Sequence, residues 1–250
     1  MEHTITRVRH ELKRRQITVK ETIRLTPNML RVVFSGEDLH DFNSPAPDDH
    51  VKLVFPSATG ETQMRDYTPR AFDNAARTLT IDFALHVGDH QPGPATAWAL
   101  HAKPGDVLQV GGPRGSVIIP SDFDWWLIVG DETALPAIAR RLAALPAGMP
   151  VKAIIAVTSP AEEQALPTQA QCALTWLHRP TEQADQPAPL LNLLQTLELP
   201  AGDGFLWIAT ESHVAKAVRS YMVETRLHPL AWTKSSGYWR KGTADAHDEG

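Results

Sequence analysis

Three side chains about a quarter of the way along the chain could together bind a flat, phosphorylated cofactor. They belong to the stretch Arg65-Asp66-Tyr67-Thr68-Pro69-Arg70. In an extended segment alternate side chains share a face, so the Arg65 guanidinium can bind a pyrophosphate while the Tyr67 ring lies against an aromatic ring system. Thr68 then offers a hydroxyl to a ring nitrogen. The alternative is a polar strand end, with Tyr67 packed at the rim of a barrel and Pro69 ending the strand.

A second stretch, Gly93-Pro94-Ala95-Thr96-Ala97-Trp98-Ala99, has the composition of an anion site. A Gly-Pro turn leads into a short helix. Backbone N–H groups at a helix start, together with the hydroxyl of Thr96, can bind phosphate oxygens. The alternative is a helix that only closes a barrel, with Trp98 in the core.

The elements around these two stretches are predicted to be short strands. Residues 1–16 are polar and basic, and we expect a loosely held arm or a short helix there. The patterns that follow predict strands at 18–25, 30–34, 50–56, 78–86 and 106–110, separated by turn residues. Short strands with few helices indicate a small antiparallel β-barrel.

The hydrophobic pattern changes near residue 121. Nearly continuous apolar runs predict buried strands of a parallel sheet at 125–130, 151–157, 173–177 and 204–209, and helices are predicted at 135–145, 190–197 and 212–226. Alternating strands and helices form βαβ units, which bind ligands at the carboxyl ends of their strands. The sequence therefore predicts two domains: an antiparallel β-barrel over residues 1–120 and an α/β parallel-sheet domain over residues 121–250.

Composition excludes several classes of function. The chain has 250 residues and a net charge of −5, so it offers no large basic field for nucleic acid. The single cysteine, Cys172, excludes an internal disulfide framework and a Cys-rich metal site, and favours a reducing compartment. No apolar run approaches the roughly 20 residues that span a bilayer, and the basic N-terminus lacks the apolar core of a signal peptide. We therefore expect a cytoplasmic protein, most simply a monomer without membrane insertion.

Histidine is abundant, but its spacing does not predict a metal site. Among eleven histidines, His86 and His90 are the only pair in a short region, and no facial-triad spacing occurs. No resident metal is expected.

Six motifs in order resemble the siderophore-interacting protein family, the FAD-dependent ferric-siderophore reductases of the ferredoxin-reductase-like superfamily. The resemblance extends from about Arg15 to Gly242. Its motifs are His50-Val51-Lys52-Leu53, Arg65-Asp66-Tyr67-Thr68-Pro69-Arg70, Asp82-Phe83 with His86, Gly93-Pro94-Ala95-Thr96-Ala97-Trp98-Ala99, Gly130-Asp131-Glu132-Thr133-Ala134-Leu135-Pro136-Ala137-Ile138 and Gly237-Tyr238-Trp239-Arg240-Lys241-Gly242.

The resemblance implies a barrel that binds FAD. Arg65 holds the pyrophosphate, Tyr67 stacks on the isoalloxazine and Thr68 hydrogen-bonds its N5 edge, which is how a protein tunes a flavin. Phe83 and His86 contact the flavin or its ribityl chain, although His86 can equally be a structural residue at a strand end. The residues implied at the FAD phosphates are Gly93, Ala95, Thr96 and Trp98.

The resemblance also places reduced pyridine nucleotide, NADPH or NADH, on the α/β domain. The implied contacts are Asp131, Thr133, Ala134 and Glu211. The loop after Gly130 is not a G-x-G-x-x-G fingerprint, and the negative charges at its helix start suit capping but disfavour a phosphate, so Thr133 is the preferred direct contact. Thr210 replaces a glycine of the family pattern, which puts close backbone approach in doubt.

The implied activity is reduction of Fe(III) in a siderophore or other ferric chelate, with iron released as Fe(II). Lys52, Arg114, Arg240 and Lys241 are the candidate contacts for an anionic chelate, although exposed cations are usually only solvated. No catalytic acid, base or nucleophile is implied, since electrons pass through the flavin. The alternatives are a general NAD(P)H:flavin-type oxidoreductase and a non-catalytic siderophore- or flavin-binding protein.

Overall fold

The computed structural model of the chain describes residues 3–56, 62–85, 93–242 and 248–249, which fall into two units. The first unit comprises residues 1–120 with 139–141, and the second comprises residues 121–138 with 142–250. No helix of these described ranges is long and apolar enough to cross a membrane.

The first unit is built mainly of antiparallel strands. Its elements are β1 (Thr6–Arg9), β2 (Arg14–Thr26), β3 (Met29–Ser35), β4 (Val51–Phe55), β5 (Gln63–Tyr67), β6 (Pro69–Asp73), β7 (Thr78–Ala84), α1 (Pro94–His101), β8 (Val107–Gly111), β9 (Gly115–Ile118) and a 3-10 turn at Glu37–Asp41. Strands β2 to β8 form one sheet in the order β5-β4-β8-β2-β3-β7-β6, and β1 pairs with β9. The first and last strands of that order, β5 and β6, are separated in the chain only by Thr68, so the sheet must curl back on itself. The predicted barrel is confirmed as this curled sheet.

The inner face of the curled sheet holds the core of the first unit. Strand β4 shows why: Val51, Leu53 and Phe55 are at most 1% exposed, while Lys52 between them points to solvent. Alternate side chains of a strand lie on opposite faces, so the apolar alternation determines which face is buried.

The predicted arm or short helix at residues 1–16 is wrong. Strand β1 pairs with β9, and β2 begins at Arg14 and pairs with β8. Every residue of β1 is exposed, so no apolar alternation is needed there and none appears in the sequence. Arg15 is buried instead, and its Nη2 donates to Asp41 Oδ1 at 2.8 Å.

Pro69 does not end a strand, as the sequence suggested, but begins one. Strand β5 ends at Tyr67 and β6 starts at Pro69. The register of β6 against β7 shifts between Pro69 and Ala71, an irregularity that suits a residue without an N–H.

The second unit is an α/β structure. Its elements are β10 (Trp125–Asp131), α2 (Leu135–Ala144), β11 (Pro150–Val157), β12 (Gln171–His178), α3 (Ala188–Thr196), β13 (Gly204–Glu211), α4 (Ser212–Ser220), β14 (Thr233–Trp239), β15 (Asp248–Glu249), short 3-10 turns at Glu132–Ala134, Pro160–Glu162, Thr181–Gln183 and Leu230–Trp232, and a π turn at Tyr221–Thr225. The strands are ordered β12-β11-β10-β13-β14-β15, and all neighbours from β12 to β14 are parallel. Every residue of β10 and β13 is buried, as the apolar runs predicted.

Strand β14 was not expected, because its sequence, Thr233-Lys234-Ser235-Ser236-Gly237, is polar. It pairs in parallel with β13 and packs beside α4. A Cβ at Gly237 would lie 2.3 Å from Ser212 Oγ at the start of α4. Only glycine therefore allows strand and helix to approach this closely.

Candidate functional site

The pairing of β4 with β5 sorts the predicted cofactor and substrate residues onto two faces of the sheet. Tyr67 lies opposite Val51 and Arg65 opposite Leu53, whereas Asp66 lies opposite Lys52. Directly opposed residues share a face, and Val51 and Leu53 are fully buried. Tyr67 and Arg65 therefore face the interior of the curled sheet, and Lys52 faces solvent.

An aromatic cluster holds the Tyr67 ring in place. The ring centroids of Tyr67 and Phe83 are 4.5 Å apart and inclined at 44°. Phe83 also lies 5.7 Å from Trp98 of α1. Phe83 has no exposed surface, whereas Tyr67 is half-buried. The structure thus places Phe83 behind Tyr67. Burial raises the pKa of the Tyr67 hydroxyl, so the side chain stays neutral.

Thr68 and Arg65 lie beside this ring. Thr68 is only 8% exposed, and its hydroxyl makes no hydrogen bond to any residue that the structure describes. Arg65 is half-buried and its Nη1 donates to the Met64 carbonyl at 2.7 Å. A polar hydroxyl at the seam of the curled sheet is thus available to a ligand. His86, the remaining predicted flavin contact of this region, lies outside the described residues.

Helix α1 begins without a side-chain cap. Gly93 is the N-cap residue, Pro94 follows, and the first turn carries no acidic residue. Among the described residues, a Cβ at Gly93 would meet nothing within 4 Å. Ala95 and Thr96 are buried in the same turn. This arrangement leaves helix N–H groups able to bind an anion.

In the second unit Asp131 joins the ends of several elements. Its Oδ1 accepts hydrogen bonds from Thr133 N at 3.0 Å and Thr133 Oγ1 at 2.6 Å. Its Oδ2 accepts from Glu211 N at 3.0 Å and from Trp239 Nε1 at 2.9 Å. The predicted capping role at this helix start is confirmed, and the fully buried carboxylate has four donors. Asp131 therefore positions Thr133, while Ala134 beside it is buried.

Glu211 is a second capping carboxylate. Its Oε2 accepts from the N–H groups of His213 and Val214 at 2.7 and 3.2 Å, and its Oε1 accepts from Lys241 N at 3.3 Å. The neighbouring Thr210 is 1% exposed and its hydroxyl donates to the Glu211 carbonyl. The side chain that replaces the family glycine is therefore buried and bonded to the backbone.

Arg179, directly after β12, was missed in the sequence. Its Nη2 donates to Glu132 Oε2 at 3.1 Å and lies 3.8 Å from Asp131 Oδ2. Burial, and then the charge of Asp131, raise the pKa of Glu132 to about 7. The one available signal was an arginine two residues after the strand predicted at 173–177, and this signal does not reveal the partners of Arg179.

The four predicted substrate cations differ in their partners. Lys52 Nζ donates to Asp66 Oδ2 at 2.9 Å. Lys241 Nζ donates to Asp185 Oδ1 at 2.8 Å and to the Glu182 carbonyl, which fixes the end of β14. The side chains of Arg114 and Arg240 form no hydrogen bond or ion pair with a described residue. Lys52 and Arg114 belong to the first unit, and Arg240 and Lys241 to the second.

Across the described ranges no group of three or more His, Cys, Asp or Glu side chains is placed to hold a metal ion.

Comparison with known proteins gives consistent matches over both units. The model of the siderophore-interacting protein family matches residues 123–242, and that of the siderophore-interacting FAD-binding domain matches residues 18–63 and 60–117. The chain is 34% identical over 254 residues to the NADPH-dependent ferric-chelate reductase of Escherichia coli K12, covering 93% of this chain and 95% of the relative. It is 29% identical over 238 residues to the ferric vibriobactin reductase ViuB of Vibrio cholerae, covering 87% and 86%.

A solved structure is also similar over nearly the full length. The crystal structure of a siderophore utilization protein from T. fusca aligns with a TM-score of 0.89 at 38% identity, and covers 98% of this chain and 99% of that one.

Proposed function

The chain belongs to the siderophore-interacting protein family, and from this premise we propose that it is an FAD-dependent ferric-siderophore reductase. Its electron donor is NADPH or NADH, and its substrate is a ferric siderophore or another ferric chelate. The observation that carries the proposal is the Tyr67 ring with the Thr68 hydroxyl beside it, within the part of the chain that matches the FAD-binding domain model.

The residues of the first unit fit FAD. The half-buried Tyr67 ring would lie against the isoalloxazine, with Phe83 supporting it from behind. The Thr68 hydroxyl would bond the ring edge, and Arg65 together with the uncapped start of α1 at Gly93 would bind the phosphates. The flavin supplies the conversion of one two-electron hydride into two one-electron transfers.

The second unit would bind the pyridine nucleotide at the carboxyl ends of its parallel strands. Asp131 and Glu211 hold the ends of β10 and β13 through backbone N–H groups. Their carboxylates are internally bonded, so we assign them to positioning, with Thr133 and the backbone of Ala134 as contacts. One nucleotide oxidised then corresponds to two Fe(III) reduced and one proton released.

Positive side chains would attract an anionic chelate to the protein. Lys52 is more than half exposed beside Asp66, and Arg114 and Arg240 carry guanidinium groups without described partners. Lys241 is bonded to Asp185 and fits a structural role better than a substrate contact. The iron enters and leaves with its chelator. We further propose a cytoplasmic location, which the single cysteine supports, and a monomeric state.

The experiment is an anaerobic reduction with the purified, FAD-loaded protein. We expect the yellow flavin absorption to bleach with NADPH or NADH and to return when a ferric siderophore is added. A colorimetric Fe(II) chelator should count two Fe(II) for each nucleotide oxidised. Failure to bind FAD would overturn the enzyme assignment in favour of a binding protein. Faster reduction of free flavin than of any ferric chelate would instead indicate a general flavin reductase.

A further inference from the structure

The guanidinium of Arg179 has one nitrogen without a partner. The residue is 4% exposed, so it is buried. Its Nη2 donates to Glu132, but Nη1 is buried and has no hydrogen-bond partner among the described residues. An unpaired buried donor is unfavourable, and more so when it is charged. This nitrogen therefore calls for an acceptor that the described residues do not supply.

Strand order explains how Arg179 reaches its position. In the sheet β11 lies between β10 and β12, with Ala156 paired to Asp131 on one side and to Leu177 on the other. Arg179, two residues beyond Leu177, extends across the small Ala156 to the end of β10. Its guanidinium thus lies at the carboxyl ends of three adjacent strands, where open α/β sheets bind ligands.

A small recess lies at this point, with no room for a water molecule among its side chains. Its lining includes Asp131, Ala156, Arg179, Gln186, Thr210 and Val214. Arg179 is the cation of this lining, and the other walls are largely apolar. A ligand at this recess would therefore meet Arg179 as its cation, with the unpaired Nη1 belonging to that guanidinium.

The charges nearby determine what kind of ligand can bind. Asp131 already accepts four hydrogen bonds, so it is not free to exchange partners. Glu132 is held only by Arg179 among described side chains, and its pKa is about 7 because of burial and the charges of Asp131 and Glu162. Protonation of Glu132 near neutral pH would remove its negative charge and weaken its ion pair with Arg179. Its replacement must be an acceptor suited to a guanidinium fork, and phosphate is such a group.

We propose that Arg179 binds a phosphate group of the reduced pyridine nucleotide. Until the nucleotide binds, the Glu132 carboxylate occupies the position of that phosphate at the guanidinium. The inference rests on the proposed function, because it takes a pyridine nucleotide as the electron donor. The phosphate is either the 2′-phosphate of NADPH or the pyrophosphate that NADPH and NADH share. In both cases Glu132 competes with the ligand for Arg179.

The test is calorimetric binding of NADP⁺, NAD⁺ and 2′,5′-ADP to the FAD-loaded protein. Arg179→Gln removes the donor and should raise Kd about ten- to hundredfold. Glu132→Gln removes the competing charge and should lower Kd about three- to tenfold. A purely structural ion pair predicts that both variants weaken binding, so the opposite signs are diagnostic. Lys216→Gln on α4 is the matched control, since it removes an exposed cation of the same unit.

The pattern among ligands identifies the phosphate. Changes confined to NADP⁺ and 2′,5′-ADP assign the 2′-phosphate, and equal changes with NAD⁺ assign the pyrophosphate. Normal binding of every ligand by Arg179→Gln, or weaker binding by Glu132→Gln, overturns the proposal. If Arg179→Gln does not fold, as judged by its circular dichroism and flavin content, Glu132→Gln alone decides. A wild-type protein that binds neither dinucleotide would instead refute the proposed function.

Discussion

At the scale of single residues, the candidate site contains side chains that a ligand could reach and enclosed side chains that support them. Tyr67 is half-buried and rests on Phe83, which is fully enclosed. Asp131 is equally enclosed and receives four hydrogen bonds. Residues of both kinds occur in the same short motifs. Their exposure and partners, rather than residue type, distinguish contact from support.

Replacing Tyr67 tests the ring contact. Tyr67→Ala should raise the Kd for FAD about ten- to hundredfold, because it removes the aromatic surface on which the isoalloxazine would lie. Tyr67→Phe keeps the ring and should bind FAD nearly as wild type. Flavin fluorescence titration measures both. Unchanged FAD affinity in Tyr67→Ala would place the flavin elsewhere.

Replacing Lys52 tests the substrate attraction. Lys52→Ala should raise KM for an anionic ferric siderophore about three- to tenfold, with little change for the nucleotide or for a neutral chelate. Lys20→Ala, which removes another exposed cation of the same unit, is the control. Steady-state kinetics with charged and neutral chelates makes the comparison. Equal effects on both chelates would contradict a charge contact.

Glu132 should make stability depend on pH. Its pKa is about 7 in the folded chain against 4.5 as the ordinary value. The folded state therefore holds a proton that the unfolded state has lost between these pH values, and stability falls as pH rises through this window. Relative to wild type, Glu132→Gln should gain stability from pH 5 to pH 8. Urea unfolding at both pH values measures the difference, and a constant difference would show that Glu132 does not titrate in this range.

At the scale of elements, the sequence predicted those strands whose burial dictates their composition. Strands β10, β11 and β13 are apolar because both faces are covered. Their apolar runs were therefore sufficient to predict them from the sequence. Strands β1 and β14 escaped prediction because β1 is exposed throughout and β14 is half-buried and polar. Their pairing depends on partners distant in the chain.

Prediction of the candidate site was limited in the same way, to features that are local in the sequence. The motif at Arg65 to Thr68 is local and could be found, whereas Arg179 acquires its surroundings only through strand order. That Arg179 crosses Ala156 to meet Glu132 follows from β11 lying between β10 and β12. A lone arginine after a strand does not reveal this.

Strand β14 should depend on Gly237. Gly237→Ala places a Cβ 2.3 Å from Ser212 Oγ and 2.9 Å from Ser212 Cα, so strand and helix must separate. We expect a loss of about 1–3 kcal/mol in the free energy of unfolding. Ser236→Ala, the adjacent change in the same strand, is the control. Denaturant unfolding compares them, and equal stability of the two variants would mean that the contact relaxes without cost.

At the scale of the whole molecule, the curled antiparallel sheet and the parallel sheet confirm the predicted ferredoxin-reductase-like fold. The fold of the first unit could be predicted because its strands have one apolar face. The fold of the second could be predicted because its strands are buried on both faces. A net charge of −5 is unfavourable for attracting an anionic chelate over long distances. Under the proposed function, local cations would have to supply that attraction.

Removal of FAD should lower the stability of the protein. A ligand that binds only the folded state at a hundred times its Kd contributes about 2.7 kcal/mol, so the apoprotein should melt about 5–10 °C lower. Differential scanning calorimetry of apo and reconstituted protein measures this shift, with added riboflavin as a ligand that lacks the phosphates. An unchanged melting temperature would contradict FAD binding to the native fold.

Strand β5 alternates between two environments, with Arg65 and Tyr67 on the inner face and Asp66, the partner of Lys52, on the outer one. Genetically, this makes β5 a source of separation-of-function alleles. Substitutions that remove the guanidinium at position 65 or the aromatic ring at position 67 should yield colourless protein, whereas substitution at position 66 should yield yellow protein with altered chelate preference. A mutagenised library can be scored first for colour and then for growth on different iron sources. Variants at the odd-numbered positions 65 and 67 should then fall in the first class, and variants at position 66 in the second.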